Sequence, residues 1–510
     1  GNAANNFLVG QQGGINTTNS VGLNYAGSWG KKMQVNGSYF FNNTRNINNG
    51  LTTRDYFLSR NFSQFYNENS ASNSNNHNHR ANLRIEYNMD SSNSIILVPS
   101  FSFQDNNAAN AWQGLTNNSD SIALNRTNNR NNTGNLAYNF NNNAIFRHKF
   151  TKKGRTISVN LGTSANNSDS RLGLFSLNQF YFPSDTNILV DQRTNATGKS
   201  YTLSSDLVYT EPISKNTSLQ FNYTPSYNNN RSERRTLTPD VTGIYSLLDT
   251  SLSNTFDNRV MTHRGGVTYR IGKEKFNFFV RLNYQYTELE GQRLFPGEQL
   301  ITKHFNNALP SARFSYKFSK SSEFRVFYRT NIIVPSVNQL QNVINNTNPL
   351  LLTTGNPDLK QQFSHNINTR YNLSIPEKGR TLVALFTAAY TDNYIGNATS
   401  IARRDTVLPG GLILLQGSKL TRPVNLDGNW NLQSYLTYGL PVSYIKCNLN
   451  ISGGGGYIRI PGLVNDRINY SNTYNFTGGV VLSSNISEKL DFKLSYTPNY
   501  NIVKNTIKPQ

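Results

Sequence analysis

Nine short polar clusters punctuate the chain, each flanked by segments in which apolar and polar residues alternate. The first five are Gly30-Lys31-Lys32, Asp90-Ser91-Ser92-Asn93, Lys152-Lys153-Gly154-Arg155, Glu211-Pro212-Ile213-Ser214-Lys215 and Gly272-Lys273-Glu274-Lys275. The others are Ser319-Lys320-Ser321-Ser322, Pro376-Glu377-Lys378-Gly379, Gly439-Leu440-Pro441 and Ser487-Glu488-Lys489. A spacing of about 50 to 60 residues suits a repeated hairpin with one short and one long connection. Long Asn-, Ser-, Thr- and Asp-rich stretches such as Arg60 to Arg80 and Asn229 to Asn258 lie between the clusters and read as the long connections.

The flanks carry a period of two. Leu219, Phe221 and Tyr223 alternate with Ser218, Gln220 and Asn222, and Phe276, Phe278, Val280, Leu282 and Tyr284 alternate with Asn277, Arg281 and Asn283. In a strand such residues point to opposite faces, one apolar and one polar. The alternation runs for about 10 to 14 residues, more than the ~5–6 of a soluble strand and enough for a tilted membrane span. Aromatics gather towards the segment ends, as at Tyr39-Phe40-Phe41, Tyr284, Tyr286, Tyr435 and Tyr438, which is where interfacial girdles stand. A soluble β-sandwich is the competing reading, with a soluble polysaccharide-binding protein as its functional form. The expectation is an all-β chain forming a transmembrane antiparallel up-and-down β-barrel. Nine turns imply about eighteen strands, and the wall must close because lipid cannot hydrogen-bond an open edge.

Composition enters as a constraint on alternatives. The chain has 510 residues, a formal charge of +21 and 36% hydrophobic residues, and about 15% of it is Asn. Its longest apolar runs, Leu382 to Phe386 and Leu412 to Leu415, fall short of the ~18 residues of a spanning helix. Its 28 Tyr and 29 Phe are too many for a disordered segment. The basic charge is dispersed, which argues against nucleic acid. Lys sits in the short turns, where it solvates hairpin ends, and Arg occurs in the polar stretches at Arg231, Arg234, Arg235, Arg403 and Arg404. Lipopolysaccharide phosphates are suited to such arginines. Arg84, Arg281 and Arg325 fall on polar strand faces and are the lumen-facing candidates; a basic lumen favours anionic solutes.

Catalytic and metal signals are weak. Cys447 is alone, which excludes an internal disulfide and a multi-thiol metal site. His77 and His79 stand in a stretch of Ser and Asn that reads as a solvated loop, without the further ligands a metal needs. Gly-x-Ser-x-Gly and His-Glu-x-x-His motifs are absent, and Glu288 and Glu290 share one strand face without a catalytic context. Gly453-Gly454-Gly455-Gly456 lacks the Lys-Ser/Thr of a phosphate loop and reads as a strand with a bend or a close approach. No enzyme, metal or cofactor is expected.

Two blocks carry a family resemblance. Arg325-Val326-Phe327-Tyr328-Arg329 followed by Val334-Pro335-Ser336-Val337-Asn338-Gln339-Leu340 resembles the mid-barrel signature of TonB-dependent receptors. Gly355-Asn356-Pro357-Asp358-Leu359-Lys360 is similar to the Gly-Asn-Pro-x-Leu-Lys block of the same superfamily, and Gln361-Gln362 stand where Pro-Glu is usual. The unit from Gly14 through Trp29-Gly30-Lys31-Lys32 to Phe41 is similar to one branch, the outer-membrane β-barrel family of TonB-receptor-like proteins in Gram-negative bacteria. The resemblance implies a barrel of about twenty-two strands, with residues 1–510 as the barrel domain, incomplete at its C-terminal side. It also implies a plug, outside these residues, that contacts TonB, and family-motif positions at Pro335, Asn356, Pro357, Leu359 and Lys360. Residue by residue, Asn356-Pro357 favours a turn and Leu359 opens an alternation, so the block also reads as a strand-entry device.

The function expected is transport of a solute across the outer membrane, with short turns periplasmic and long loops extracellular. Expected partners are outer-membrane lipid and lipopolysaccharide, TonB through the plug, and a surface lipoprotein. The alternative is a non-transporting surface barrel used for adhesion or assembly.

Overall fold

The computed structural model describes residues 13–59, 62–181, 185–340, 342, 344–345, 351–408, 412–414, 416–484 and 492–507. Nearly all are extended. The first strands are β1 (Ile15–Trp29), β2 (Met33–Ser59), β3 (Phe62–Asn88), β4 (Asn93–Asn118), β5 (Ala123–Lys149), β6 (Thr156–Phe180), β7 (Thr186–Ser214) and β8 (Thr217–Pro239). β9 (Tyr245–Leu248), β10 (Asn254–Gly272), β11 (Phe276–Phe295), β12 (Gln299–Ser319) and β13 (Ser322–Ile333) follow. A one-turn helix α1 (Val337–Leu340) precedes β14 (Leu351–Thr353), β15 (Gln362–Ile375), β16 (Arg380–Asp392), β17 (Tyr394–Ile401), β18 (Thr406–Val407) and β19 (Ile413–Leu414). The last are β20 (Lys419–Leu426), β21 (Asn429–Val442), β22 (Cys447–Val464), β23 (Arg467–Ser484), β24 (Lys493–Tyr496) and β25 (Asn499–Asn505).

The wall is the up-and-down antiparallel sheet expected. Neighbours pair in chain order from β1 to β8, then through β10, β11, β12, β13, β15, β16, β21, β22 and β23. β24 and β25 share the next place on β23, parted by Pro498. Those are eighteen wall positions, as the turn count implied. Among the described residues, β1 pairs with β2 alone and β25 with β23 alone.

Outward faces are most densely apolar near the short turns, with isolated exposed residues such as Leu51 and Leu189 further along. On β8 the exposed aromatics are Phe221, Tyr223 and Tyr227, and on β11 the exposed apolar set is Val280, Leu282 and Tyr284. From Thr217 to Tyr227, a strand tilted like those of other barrels climbs roughly 25 Å, the height of an apolar band. Beyond the band the strands continue. β7 has 29 residues and β2, β3 and β5 have 27 each, far beyond the alternating stretches seen in sequence.

Here the expected loops need correction. Arg60 to Arg80 lies largely in β3, and Asn229 to Asn258 lies largely in β8, β9 and β10. The reason is solvent: above the membrane both faces of a strand are wet, so the hydrophobic alternation disappears while the backbone ladder persists. Side-chain amides add cross-strand links, such as Asn43 Nδ2 to Asn75 Oδ1 at 2.9 Å and Gln104 Nε2 to Asn76 Oδ1 at 2.7 Å. His77 and His79 therefore sit on a strand, opposite Asn43 and Phe41. Gly439-Leu440-Pro441 is also strand; the turn comes later, where Ser443–Ile445 precedes Lys446 with a φ of 47°. The cluster Ser487-Glu488-Lys489 lies outside the described residues.

The regular wall is interrupted between β13 and β21. β16 runs into β17 through Asn393, whose φ is 50°, and β20 runs into β21 through Gly428, whose φ is 88°. Asp427 Oδ1 accepts the Asn393 backbone N–H at 2.9 Å and clamps the two breaks together. Above them β17 pairs with β20, and β20 pairs in parallel with β14. Leu289, Leu340 and Leu359 form a buried cluster, with Val260, Phe305, Val334 and Ile395 packed against it. Leu289 lies on the face of β11 opposite Leu282 and Tyr284, so this cluster is inside the wall. Ile395, just past the end of β16, packs against this cluster, although β16 and β11 stand several wall positions apart. Residues 334–340 and 351–361 and the β17–β20 pair thus fold inward and cover the lumen face of β10–β12.

Candidate functional site

Arg84, Arg281 and Arg325 alternate with apolar residues of their strands, each a few residues from a short turn. Arg281 donates from Nε to Thr268 Oγ1 at 2.8 Å, and its Nη2 stands 3.5 Å from Gln220 Oε1, so it spans three adjacent strands through neutral partners. Arg325 is different: its Nε lies 2.7 Å from Glu323 Oε1, which offsets its charge. Arg84 Nη2 lies 2.9 Å from Glu86 Oε2. Arg281 and Arg325 are two wall positions apart; Arg84, on β3, is far round the wall.

The family-motif residues hold the infolded layer in place. Pro335 is buried and Leu359 is fully buried. Asn356 donates from Nδ2 to the Pro423 carbonyl at 3.0 Å, and its Oδ1 caps the Asp358 N–H at 3.0 Å, which is the turn favoured by Asn before Pro357. The Lys360 N–H donates to Asn425 Oδ1 at 2.7 Å, and Asn425 Nδ2 donates back to the Lys360 carbonyl at 3.0 Å. Lys303 Nζ reaches the Leu359 carbonyl at 2.7 Å, and Asn307 and Gln361 exchange amide hydrogen bonds. The block is a tether between the inner layer and the wall.

This tether leaves a cavity of about 520 Å³ between the inner layer and β7, β8 and β10. Its lining includes Arg234 and Arg422 with Asn254, Asn397, Thr353 and Thr421. Arg234 was visible in sequence as one of several arginines in a polar stretch; Arg422 was missed, since only the infold brings β20 opposite β8. Outward aromatics on β8 end at Tyr227, so Arg234 stands beyond the band, where burial pulls its guanidinium below the ordinary value.

Four of the six histidines share one arrangement that sequence did not suggest. Tyr39 Oη lies 2.8 Å from His79 Nδ1, and the same diagonal pairing joins Tyr223 to His263 at 2.7 Å, Tyr286 to His304 at 2.9 Å and Tyr328 to His365 at 2.9 Å. Three of these pairs have stacked rings. Their place on the outward face at the top of the apolar band is that of an interfacial girdle. Glu290 lies 3.8 Å from Arg259 as a cross-strand ion pair, and Glu288 faces His304. A Cβ on Gly454 would stand 2.8 Å from the Tyr435 ring, so the glycine run permits a close approach of that ring.

At the short-turn end, Glu211 accepts from Lys152 Nζ at 2.6 Å, Arg155 Nε at 2.7 Å and Tyr209 Oη at 2.6 Å. These bonds, Arg155 foremost, hold its carboxyl far below the usual range.

With this architecture in view, comparison with known proteins is direct. The family described as the outer membrane protein beta-barrel family matches residues 148–508. The chain belongs to that family, an outer-membrane β-barrel of the cell outer membrane, which is the branch that the sequence resemblance named. A search of curated proteins found no sequence match. Among solved structures, it is similar to the alcaligin outer membrane receptor FauA from Bordetella pertussis, at 11% identity and a TM-score of 0.40, over 96% of this chain and 75% of that one. It is similar to the siderophore receptor PirA from Acinetobacter baumannii, at 11% identity and a TM-score of 0.44, over 97% and 74%. The copper transporter OprC aligns at 10% identity and a TM-score of 0.48, over 96% and 73%.

Proposed function

We propose that the chain is the wall of a solute-transporting outer-membrane barrel of the TonB-dependent receptor type, with its plug supplied by sequence beyond these residues. The observation that carries this reading is the inner surface: a polar, arginine-bearing face overlaid by a layer packed against β10–β12. A wide wall narrowed by its own chain suits selective passage better than bulk diffusion, and the role requires no covalent chemistry. The partners are outer-membrane lipid and lipopolysaccharide around the band, TonB through the plug, and a surface lipoprotein at the strand tips.

The scaffold reading draws on one feature, the polar extension of β2–β7 far above the band, which offers a tall wet surface for adhesion or assembly. Uptake separates the two. Cells producing the full-length protein should accumulate a candidate solute faster than cells without it, and an uncoupler of the proton-motive force should abolish the gain. Uptake that survives the uncoupler would leave transport but remove TonB energisation. Surface attachment without uptake would favour the scaffold.

A further inference from the structure

We propose that the cavity between the infolded layer and β7, β8 and β10 is an oxyanion site, in which Arg234 and Arg422 hold a carboxylate- or phosphate-bearing solute. The proposal rests on the transport reading for its role in the cell, but binding itself does not depend on it.

The first argument is an unmet donor. Arg234 Nε is buried and has no hydrogen-bond partner among the described residues, and an unsatisfied charged donor out of water is costly. The second is charge. Among the described residues Glu233 is the one carboxylate in the lining, and its Oε1 is committed to Arg235 Nε at 3.3 Å. Alternation along β8 turns Glu233 and Arg235 to the face opposite Arg234. Arg234 therefore faces a space whose lining also includes Arg422 and, among the described residues, neutral groups such as Asn254, Asn397 and Thr421. A guanidinium stays charged even when burial lowers its pKa, and its fork matches two oxygens of a carboxylate or phosphate. The third is size: about 520 Å³ falls in the range of small-molecule sites. An entering oxyanion would give Arg234 the acceptor it lacks.

Calorimetry on the detergent-solubilised full chain, with citrate and pyrophosphate as probes and glucose as the neutral control, tests this. Wild type should bind at least one anion and not glucose; the preferred anion tells carboxylate from phosphate. Arg234→Gln should weaken binding roughly ten- to hundred-fold, the cost of a charged hydrogen bond. Arg422→Gln should weaken it less, and the double variant should abolish it. Arg171→Gln removes an exposed charge from β6 and should change nothing. A heat-dependent gel shift checks that each variant is folded; if Arg234→Gln fails it, Arg234→Lys, which keeps charge but loses the fork, takes its place and should still lose affinity. Anion binding no stronger than glucose binding, or an equal loss in Arg171→Gln, would overturn the site. Energised uptake of the probe anions by cells producing the full-length protein, measured in parallel, judges transport separately: anion binding without uptake sinks transport and keeps the site, whereas uptake without anion binding to Arg234 does the reverse.

Discussion

The wall from β2 to β7 and the inward layer, made of residues 334–340 and 351–361 with β17 and β20, stand at the same end of the molecule and are held by different forces. The wall is a chain of local hairpins whose upper halves are linked by polar ladders. Thr127 Oγ1 donates to Asn178 Oδ1 at 2.6 Å, Asn129 Nδ2 to Thr127 at 2.8 Å and Asn178 Nδ2 to Ser176 Oγ at 2.9 Å. The inward layer has few ladder bonds to the wall and depends on Leu289, Leu340 and Leu359 with a handful of amide tethers. Redundant, repeated bonds tolerate single losses; a small apolar cluster with few tethers does not. A movable or ligand-responsive element is drawn from the less redundant kind.

That contrast can be broken in graded steps. Leu359→Ala should have the largest effect, about 2–5 kcal/mol as for other fully buried leucines, and it should be confined to the inner layer. Limited proteolysis should then cut within 341–361 while the heat-dependent gel shift of the wall is retained; simultaneous loss of both would show that wall and layer are one cooperative unit. Asn425→Ala removes bonds to Lys360 and also to the Asn393 carbonyl at 2.9 Å, and should loosen the same layer by about 1–3 kcal/mol, read as faster amide exchange in β17 and β20. Asn178→Ala breaks a buried ladder but leaves the backbone pairing, so about 1 kcal/mol is expected, with exchange raised only in β5 and β6.

Acid should act on the short-turn end before either region. The Glu211 carboxyl is held down by Arg155 and Lys152, so the stabilisation it gives is present above the ordinary carboxylate pKa of about 4.3 and is lost as pH falls towards its depressed folded value. Glu211→Gln should flatten this part of the acid unfolding curve, measured by tryptophan fluorescence; an unchanged curve would deny the cluster a role. Asn43→Ala should have the smallest effect, within about 0.5 kcal/mol, because its partner Asn75 lies in a ladder with many equivalents. A larger loss would contradict the redundancy claimed for the wall.

Legibility followed the solvent. Phe221, Tyr223, Val280 and Leu282 could be read as one lipid face because lipid on one side and a wet lumen on the other impose a period of two. His77, His79 and the polar run from Asn229 were read as loop because water on both faces removes that period, although the strand continues. Pro335, Asn356, Pro357, Leu359 and Lys360 were legible as a motif, and Asn356 as a turn, but not as a tether, since their partners Asn425, Pro423 and Lys303 lie more than fifty residues away. Parity put Arg84, Arg281 and Arg325 on the polar faces of their strands, yet it could not say that Glu86 and Glu323 pair with two of them while Arg281 spans neutral groups.

Sequence by itself therefore determined the class of the wall, its number of positions and the orientation of side chains within the apolar band, because each depends on neighbours two residues or one hairpin away. Tertiary structure alone decided how far the strands rise, that residues 334–340 and 351–361 turn inward with β17 and β20, and that Arg234 and Arg422 line one cavity. Those outcomes depend on which solvent each face meets and on apolar contacts made across the lumen, and neither leaves a local period in the chain.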